Sequence, residues 1–357
     1  MKFPYLIVLV LLLLSHIVTF ADDSCIEPRN SYSGDVIVGI EWAPNSQSIF
    51  VSTMGRVTIF DLTSFTKPPI VHEVCSGRFP VIGVGNAHYA IGGDFRSSIL
   101  LFDLETHQLI NEIEVQAENV NSIAFNETDS LIVISISDWD EGGFFDINRM
   151  LEIITIDNGE VVATLDSERD ESAPYLSFKM GVAFMSDGRV LATGLDQEDS
   201  FVETQPIVIL WDWQNSESST VEVEPNKLIG LLDEMSLVTL EIIGRDEILL
   251  QTTNLESHDP LSSASYAIAA TELADIELAT TSELSLIAIE NSERHVWIID
   301  LSSQTITNER QLEGYAIEMA FNQSGNQLAI GYGSGNVEVW NLETGEISPI
   351  GNALAHE

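Results

Sequence analysis

Toward the end of the chain, apolar and polar residues alternate from Tyr315 to Phe321, Asn322-Gln323-Ser324-Gly325 interrupts them, and Gln327 to Gly331 runs back. Gly333-Ser334-Gly335-Asn336 marks a second turn, Val337 to Trp340 a third strand, and Asn341 to Gly345 leads into a short fourth, Glu346 to Ile350. Alternation with period two between clusters of Gly, Asn and Ser predicts a four-stranded antiparallel meander. The same frame fits the start, with strands at Val38 to Trp42, Ile49 to Ser52 and Val57 to Phe60 around turns at Pro44-Asn45-Ser46 and Met54-Gly55.

Third strands end alike. They read Phe60-Asp61-Leu62, Phe102-Asp103-Leu104, Ile156-Asp157-Asn158, Trp211-Asp212-Trp213, Ile299-Asp300-Leu301 and Trp340-Asn341-Leu342, with one degenerate marker expected near Tyr266. The apolar residue packs between sheets, and the Asp or Asn bonds its own backbone to begin a turn. One four-stranded sheet cannot bury both faces alone, whereas seven arranged radially can. The expectation is an all-β chain forming a single seven-bladed β-propeller of four-stranded antiparallel blades over residues 36–351, followed by a tail at 352–357. Its ring can close with Glu346 to Ile350 as the last blade's own outer strand, or by borrowing residues after Cys25.

The spacing, with the Trp211-Asp212 and Trp340-Asn341 pairs, resembles the WD-repeat β-propellers over about residues 36–351. The Gly-His pair that usually precedes the first strand in that family is absent, and most markers carry Phe or Ile for Trp. The family's internal His-Asp network is therefore not carried over. Only architecture is.

The repeat interval is about 41 residues at both ends but about 55 in the middle. Aligned on the strands, the extra residues fall between the second and third strands of blades three, four and five, at Asp138 to Arg149, Asp196 to Gln205 and Asn254 to Ala264. In the arrangement that the resemblance implies, these loops share one face. The first carries Asp138, Trp139, Asp140, Glu141, Phe144, Phe145 and Asp146, the second Asp196, Glu198, Asp199, Phe201 and Glu203, and the third Glu256, His258 and Asp259. Aromatics beside carboxylates suit a protein, a basic peptide or a glycan, since rings supply contact area and acids supply direction. The other reading is that the aromatics fold under their own loops while the acids face solvent.

Calcium is the one candidate ion. Asp138, Asp140, Gly142 and Asp146 resemble part of an oxygen-ligand loop, although Arg149 stands where the helix-loop-helix calcium motif places Glu. No cofactor is otherwise expected.

Composition narrows the partner. The chain has 56 acidic against 14 basic residues, a formal charge of −42, which repels nucleic acid and anionic lipid. Lys2, the apolar stretch Tyr5 to Leu14 and the Thr19-Phe20-Ala21 end read as a signal peptide over residues 1–21, with an uncleaved anchor as the alternative. No membrane span is expected after it. Residues 22–35 then form an N-terminal segment. Its Cys25 would pair with Cys75 in an oxidising compartment, secreted or at the cell-envelope exterior, unless both remain free thiols.

Enzymatic readings are thin. His16, His72, His88, His107, His258, His295 and His356 include no pair at zinc-ligand spacing. Gly331-Tyr332-Gly333-Ser334-Gly335 has no helix after it to make a phosphate loop. Asn126-Glu127-Thr128 and Asn322-Gln323-Ser324 match the N-glycan acceptor but sit where hairpin turns are expected. The sequence therefore favours a binding propeller. A carboxylate- or divalent-ion-dependent hydrolase or lyase and a structural envelope component are the rival readings.

Overall fold

The computed structural model describes residues 36–354 except for 65–66, 75–79, 94–96, 140–145, 167–174, 178–180, 198–203, 223–227, 234–235, 245–246, 258, 269–276 and 282–285. Residues 1–35, with Cys25, and Cys75 lie outside the described residues. Blade 1 comprises β1 (Ile37–Trp42), β2 (Ser48–Thr53), β3 (Arg56–Asp61) and β4 (Ile70–Glu73). Blade 2 has β5 (Pro80–Val84), β6 (His88–Gly93), β7 (Ser98–Asp103) and β8 (Leu109–Glu114). Blade 3 has β9 (Asn119–Phe125), β10 (Leu131–Trp139), β11 (Asp146–Thr155) and β12 (Val161–Asp166).

In blade 4, two short strands, β13 (Tyr175–Ser177) and β14 (Val182–Phe184), pair with different stretches of β15 (Val190–Gln197), which continues to β16 (Thr204–Asp212) and β17 (Glu217–Glu222). Blade 5 has β18 (Leu228–Asp233), β19 (Ser236–Gly244), β20 (Glu247–Asn254) and β21 (Pro260–Tyr266). Blade 6 has β22 (Glu277–Thr280), β23 (Leu286–Glu290), β24 (His295–Asp300) and β25 (Thr305–Gln311). Blade 7 has β26 (Ala316–Phe321), β27 (Gln327–Tyr332), β28 (Asn336–Asn341) and β29 (Ile347–Asn352). Every blade is an antiparallel meander in chain order, so the fold is the expected seven-bladed β-propeller.

Among the described residues there is no central core. Apolar side chains gather instead into seven clusters, one at each junction between neighbouring blades. Phe50, Val57 and Ile59 of blade 1 meet Tyr89, Ile91 and Phe102 of blade 2, and Ile132, Ile134 and Ile154 of blade 3 meet Ile99 and Leu101 of blade 2. Successive residues of a second strand enter different seams: Ile49 and Val51 pack toward blade 7, and Phe50 between them toward blade 2. Both faces are thus covered, which is why second strands read as unbroken apolar runs such as Tyr89-Ala90-Ile91 and Ile132-Val133-Ile134, all buried. Fourth strands lie outermost, and Ile70, Val71, Leu109 and Ile110 reach solvent there.

The ring closes on the first of the two expected routes. Blade 7 keeps β29 as its own outer strand, and blade 1 is made of contiguous strands, so no strand is exchanged. Ile37, Ile40 and Phe60 pack on Ala329, Val337 and Val339, and Trp42 Nε1 donates to the Ala320 carbonyl at 2.9 Å.

Two markers move. In blade 3 the turn-forming residue is Thr155, not Asp157, because Ile156 N bonds Ser130 O just as Leu62 N bonds Gln47 O. Thr155 Oγ1 accepts from Glu160 N at 3.1 Å. In blade 5 the marker is Thr253-Asn254-Leu255 and not the region of Tyr266, which ends the fourth strand. Asn254 Oδ1 accepts from Glu256 N and Ser257 N, both at 2.9 Å, and Leu255 is buried.

First strands crowd around the axis. The residues aligned with Glu41 in the other six blades are Gly83, Ala124, Ala183, Gly230, Ala279 and Ala320. A Cβ on Gly83 would stand 2.8 Å from both the carbonyl oxygen and Cγ2 of Ile123 in blade 3. Gly83→Ala is therefore expected to pry this seam apart, at about 1–3 kcal/mol. Urea unfolding should show a lower midpoint with an unchanged slope, and an unaltered midpoint would contradict so close an approach.

Candidate functional site

The connection between second and third strands emerges at the same rim in every blade, because each blade is a meander of the same sense. In blade 1 it joins two six-residue strands. In blade 3 the strands grow to nine and ten residues, in blade 4 to eight and nine, and in blade 5 to nine and eight. Three adjacent blades thus raise enlarged hairpins from one rim.

For blade 5 the residues differ from expectation. Its enlarged hairpin runs from Glu241 to Ile248, with Ile242 opposite Ile248 and Gly244 opposite Glu247. Asn254 to Ala264 instead spans the third-to-fourth connection at the opposite rim. Glu256 and Asp259 therefore do not join the other two loops, and His258 lies outside the described residues. The misplaced marker at Tyr266 produced this shift.

The blade 3 hairpin carries Asp138 half-buried near its base, after an irregularity between Ile136 and Asp138. Asp138 Oδ1 accepts from Glu118 N at 3.1 Å, and Asn121 Nδ2 donates to Ser137 Oγ at 3.0 Å, so the preceding segment braces the hairpin. Trp139 and Asp146 are cross-strand partners. In blade 4, β13 flanks the hairpin, placing Leu176 opposite Asp196 on one side while Gln205 faces Asp196 on the other. Asp140, Glu141, Glu198 and Asp199 lie outside the described residues, as do Gly142, Phe144, Phe145, Phe201 and Glu203. Among the described residues no three His, Cys, Asp or Glu side chains are placed to share a metal ion.

Farther along the same rim, Glu290 ends β23 almost fully buried and accepts from Ala316 N at 3.1 Å. Burial pushes its carboxyl up to about 7 from 4.5, opposed by that hydrogen bond and by Arg294. The Arg294 guanidinium lies 5.8 Å from the ring centre of Tyr315, which is exposed. Near the axis, Glu41 reaches solvent yet is hemmed in by protein, and this loss of hydration pushes it up to about 7.

The opposite rim is given to structure. Asp61, Asp103, Asp212, Asp300 and Asn341 each hold a turn through backbone N–H groups. Thr63 and Lys67 hold Asp61 down at about 2. The two glycan-type asparagines also build turns. Asn126 Oδ1 accepts from Ser130 N and Leu131 N, and Asn322 Oδ1 from Gln327 N.

Two tethers between blades escaped sequence reasoning. Asp129 is buried and takes the N–H groups of Asn86, Ala87 and His88 in the first hairpin of blade 2, at 3.0, 2.5 and 3.1 Å. Arg189 joins Asp187 at 2.7 Å to Glu256 of blade 5 at 2.8 Å. Neither leaves a local signal, since each partner sits on another repeat. A cleft of about 480 Å³ between the outer parts of blades 1 and 7 holds Arg56 and Lys67, which are paired with Glu73 and Asp61 at 3.0 Å each.

Residues 279–352, blades 6 and 7, match the family described as the anaphase-promoting complex subunit 4 WD40 domain. Among solved structures, "Structure of U3-55K" is similar with a TM-score of 0.62 and 15% identity, covering 85% of this chain and 90% of that one. "Crystal structure of RRP9 WD40 repeats" gives the same TM-score and identity over 85% of this chain and 89% of that one. No curated protein matches the sequence. The chain is thus a β-propeller built from four-stranded repeats, and its last two blades are similar to a WD40 domain family. No helix among the described residues is long and apolar enough to cross a membrane.

The charge state of Glu290 yields a pH signature. A carboxyl with its folded pKa raised from 4.5 to about 7 lets the folded state hold a proton that the unfolded chain releases, so stability falls as pH rises through that window. Glu290→Gln keeps an acceptor for Ala316 N and cannot ionise. Its melting temperature should exceed that of the parent by several degrees at pH 8 and by little or nothing at pH 4.5. A constant difference across that range would be incompatible with the assignment.

Proposed function

We propose that this protein is an exported, non-catalytic propeller that binds a protein or peptide, or a glycan carried on one, through the acidic hairpins of blades 3, 4 and 5. The observation that carries this reading is the confinement of enlarged second-to-third hairpins to three adjacent blades at one rim. WD-repeat propellers typically mediate protein interactions, and a rim varied in one sector while the turns of the other rim stay uniform suits a recognition surface.

The contact residues in this reading are Asp138, Trp139, Asp140, Glu141 and Asp146 on the first hairpin and Asp196, Glu198 and Asp199 on the second. Glu241 and Glu247 supply the acids of the third. A formal charge of −42 favours a basic segment, and Trp139 adds an aromatic residue among the acids of that hairpin sequence. Export follows from the leader-like residues 1–21, and in that compartment Cys25 and Cys75 would form a disulfide.

The test is titration calorimetry with an arginine-rich peptide. Changing Asp138→Asn, Asp140→Asn and Glu141→Gln together should weaken binding about tenfold, and raising salt from 50 to 300 mM should weaken the parent complex as surface charges are screened. Changing Glu256→Gln and Asp259→Asn at the opposite rim should have little effect. Equal losses from the two rims would remove the hairpins as the site.

A further inference from the structure

The seam between blades 1 and 2 sets two histidines against buried aromatic rings. His72 on β4 projects from the outermost strand of blade 1 into an aromatic group belonging to blade 2. Its Nε2 lies 2.8 Å from the hydroxyl of Tyr89 on β6, and its ring centre lies 4.5 Å from that of Phe102 on β7. Tyr89 stacks on Phe102 with centres 4.9 Å apart and planes within 6°. The His107 ring, in the turn after β7, has its centre 5.8 Å from that of Tyr89.

Tyr89 is fully buried, and His72 is the one hydrogen-bond partner of its hydroxyl among the described residues. His107 Nδ1 is buried with no partner among them. With both rings neutral, His72 and the Tyr89 hydroxyl share one hydrogen bond and the cluster carries no charge. The ionisable groups facing it are few. His72 faces Tyr89 and His107, while His107 faces Asp103 of its own turn and Asp61 across the seam. Those carboxylates are already engaged, Asp61 with Thr63 and Lys67 and Asp103 with Thr106. His88, beside Asp103 and Asp129, stands at the edge of the group.

We propose that the seam between blades 1 and 2 is an acid-releasable joint, in which protonation of His72 and His107 places two positive charges against a buried aromatic stack and loosens its outer half. The joint needs no new fold. A protonated His72 would have to donate to the Tyr89 hydroxyl, its charge is poorly hydrated where it stands, and the second cation, on His107, repels it.

Burial holds both imidazoles below their ordinary 6.5, and His107 lowers His72 further, while Asp103 and Asp61 pull His107 back up. The folded state therefore binds fewer protons than the unfolded chain. The stability that the neutral pair contributes is complete above 6.5 and is lost as pH falls below it. His295 stacks on Trp297 without a second histidine, so no other seam among the described residues has such a pair.

Hydrogen exchange read by mass spectrometry at pH 7.5 and 5.0, corrected for intrinsic rates, tests the joint in the full chain. Peptides covering β4, β6 and β7 are expected to exchange about tenfold faster at pH 5.0, with blades 6 and 7 changing little. The double variant His72→Gln, His107→Gln retains a polar partner for Tyr89 and should lose that acid dependence. Should this variant fail to fold, imidazole titration of the parent by NMR decides, since the joint requires both rings to titrate below 6.5. Equal acceleration in all blades, persistence in the double variant, or titration at or above 6.5 would each overturn it.

Discussion

Apolar contact between neighbouring sheets is the constraint on which this molecule depends. A lone blade exposes two faces that must both be covered, and the propeller covers each with the blade beside it. Residues one apart on a second strand consequently serve opposite neighbours, as Ile49 and Phe50 do. Stability is therefore spread around a circle, and no blade is complete without the two that flank it. Small residues near the axis follow from the same demand, since first strands converge there and Gly83 leaves no room for a side chain.

Much of this was legible because seam packing imposes an unbroken apolar run on every second strand and a turn-forming residue after every third. The misreadings arose where a different atom does the same work. Thr155 holds its turn with a hydroxyl, so the neighbouring Asp157 looked like the marker. Asn254 follows Thr253 in place of an aromatic residue, so Tyr266 drew attention away from it, and the displaced frame sent Glu256 and Asp259 to the wrong rim. Asp129 and Arg189 were not legible at all, because their partners lie on other repeats and only the closed ring brings them together.

The two rims divide the labour. One repeats a short turn fixed by Asp, Asn or Thr, with Asp61, Asp103, Asp212 and Asp300 accepting from backbone N–H groups. The other carries hairpins of unequal length, and in blade 4 it even recruits β13 to broaden one of them. Acid is abundant on both, and on the second rim Asp138 and Glu290 also accept from backbone N–H groups.

Contiguity of the seven blades has a consequence for how the ring gives way. A propeller stitched by an exchanged strand must break a ladder of backbone hydrogen bonds before it can open. Here the junction of blades 7 and 1 parts by separating two greasy surfaces and side-chain hydrogen bonds such as those from Trp42 to Ala320 O and from Thr58 to Ala353 O, so cold and chaotropic solutes should act on it sooner than mechanical shear along a strand would. The same property leaves each linker between blades a place where the polypeptide could be cut and the old ends joined without dividing any sheet.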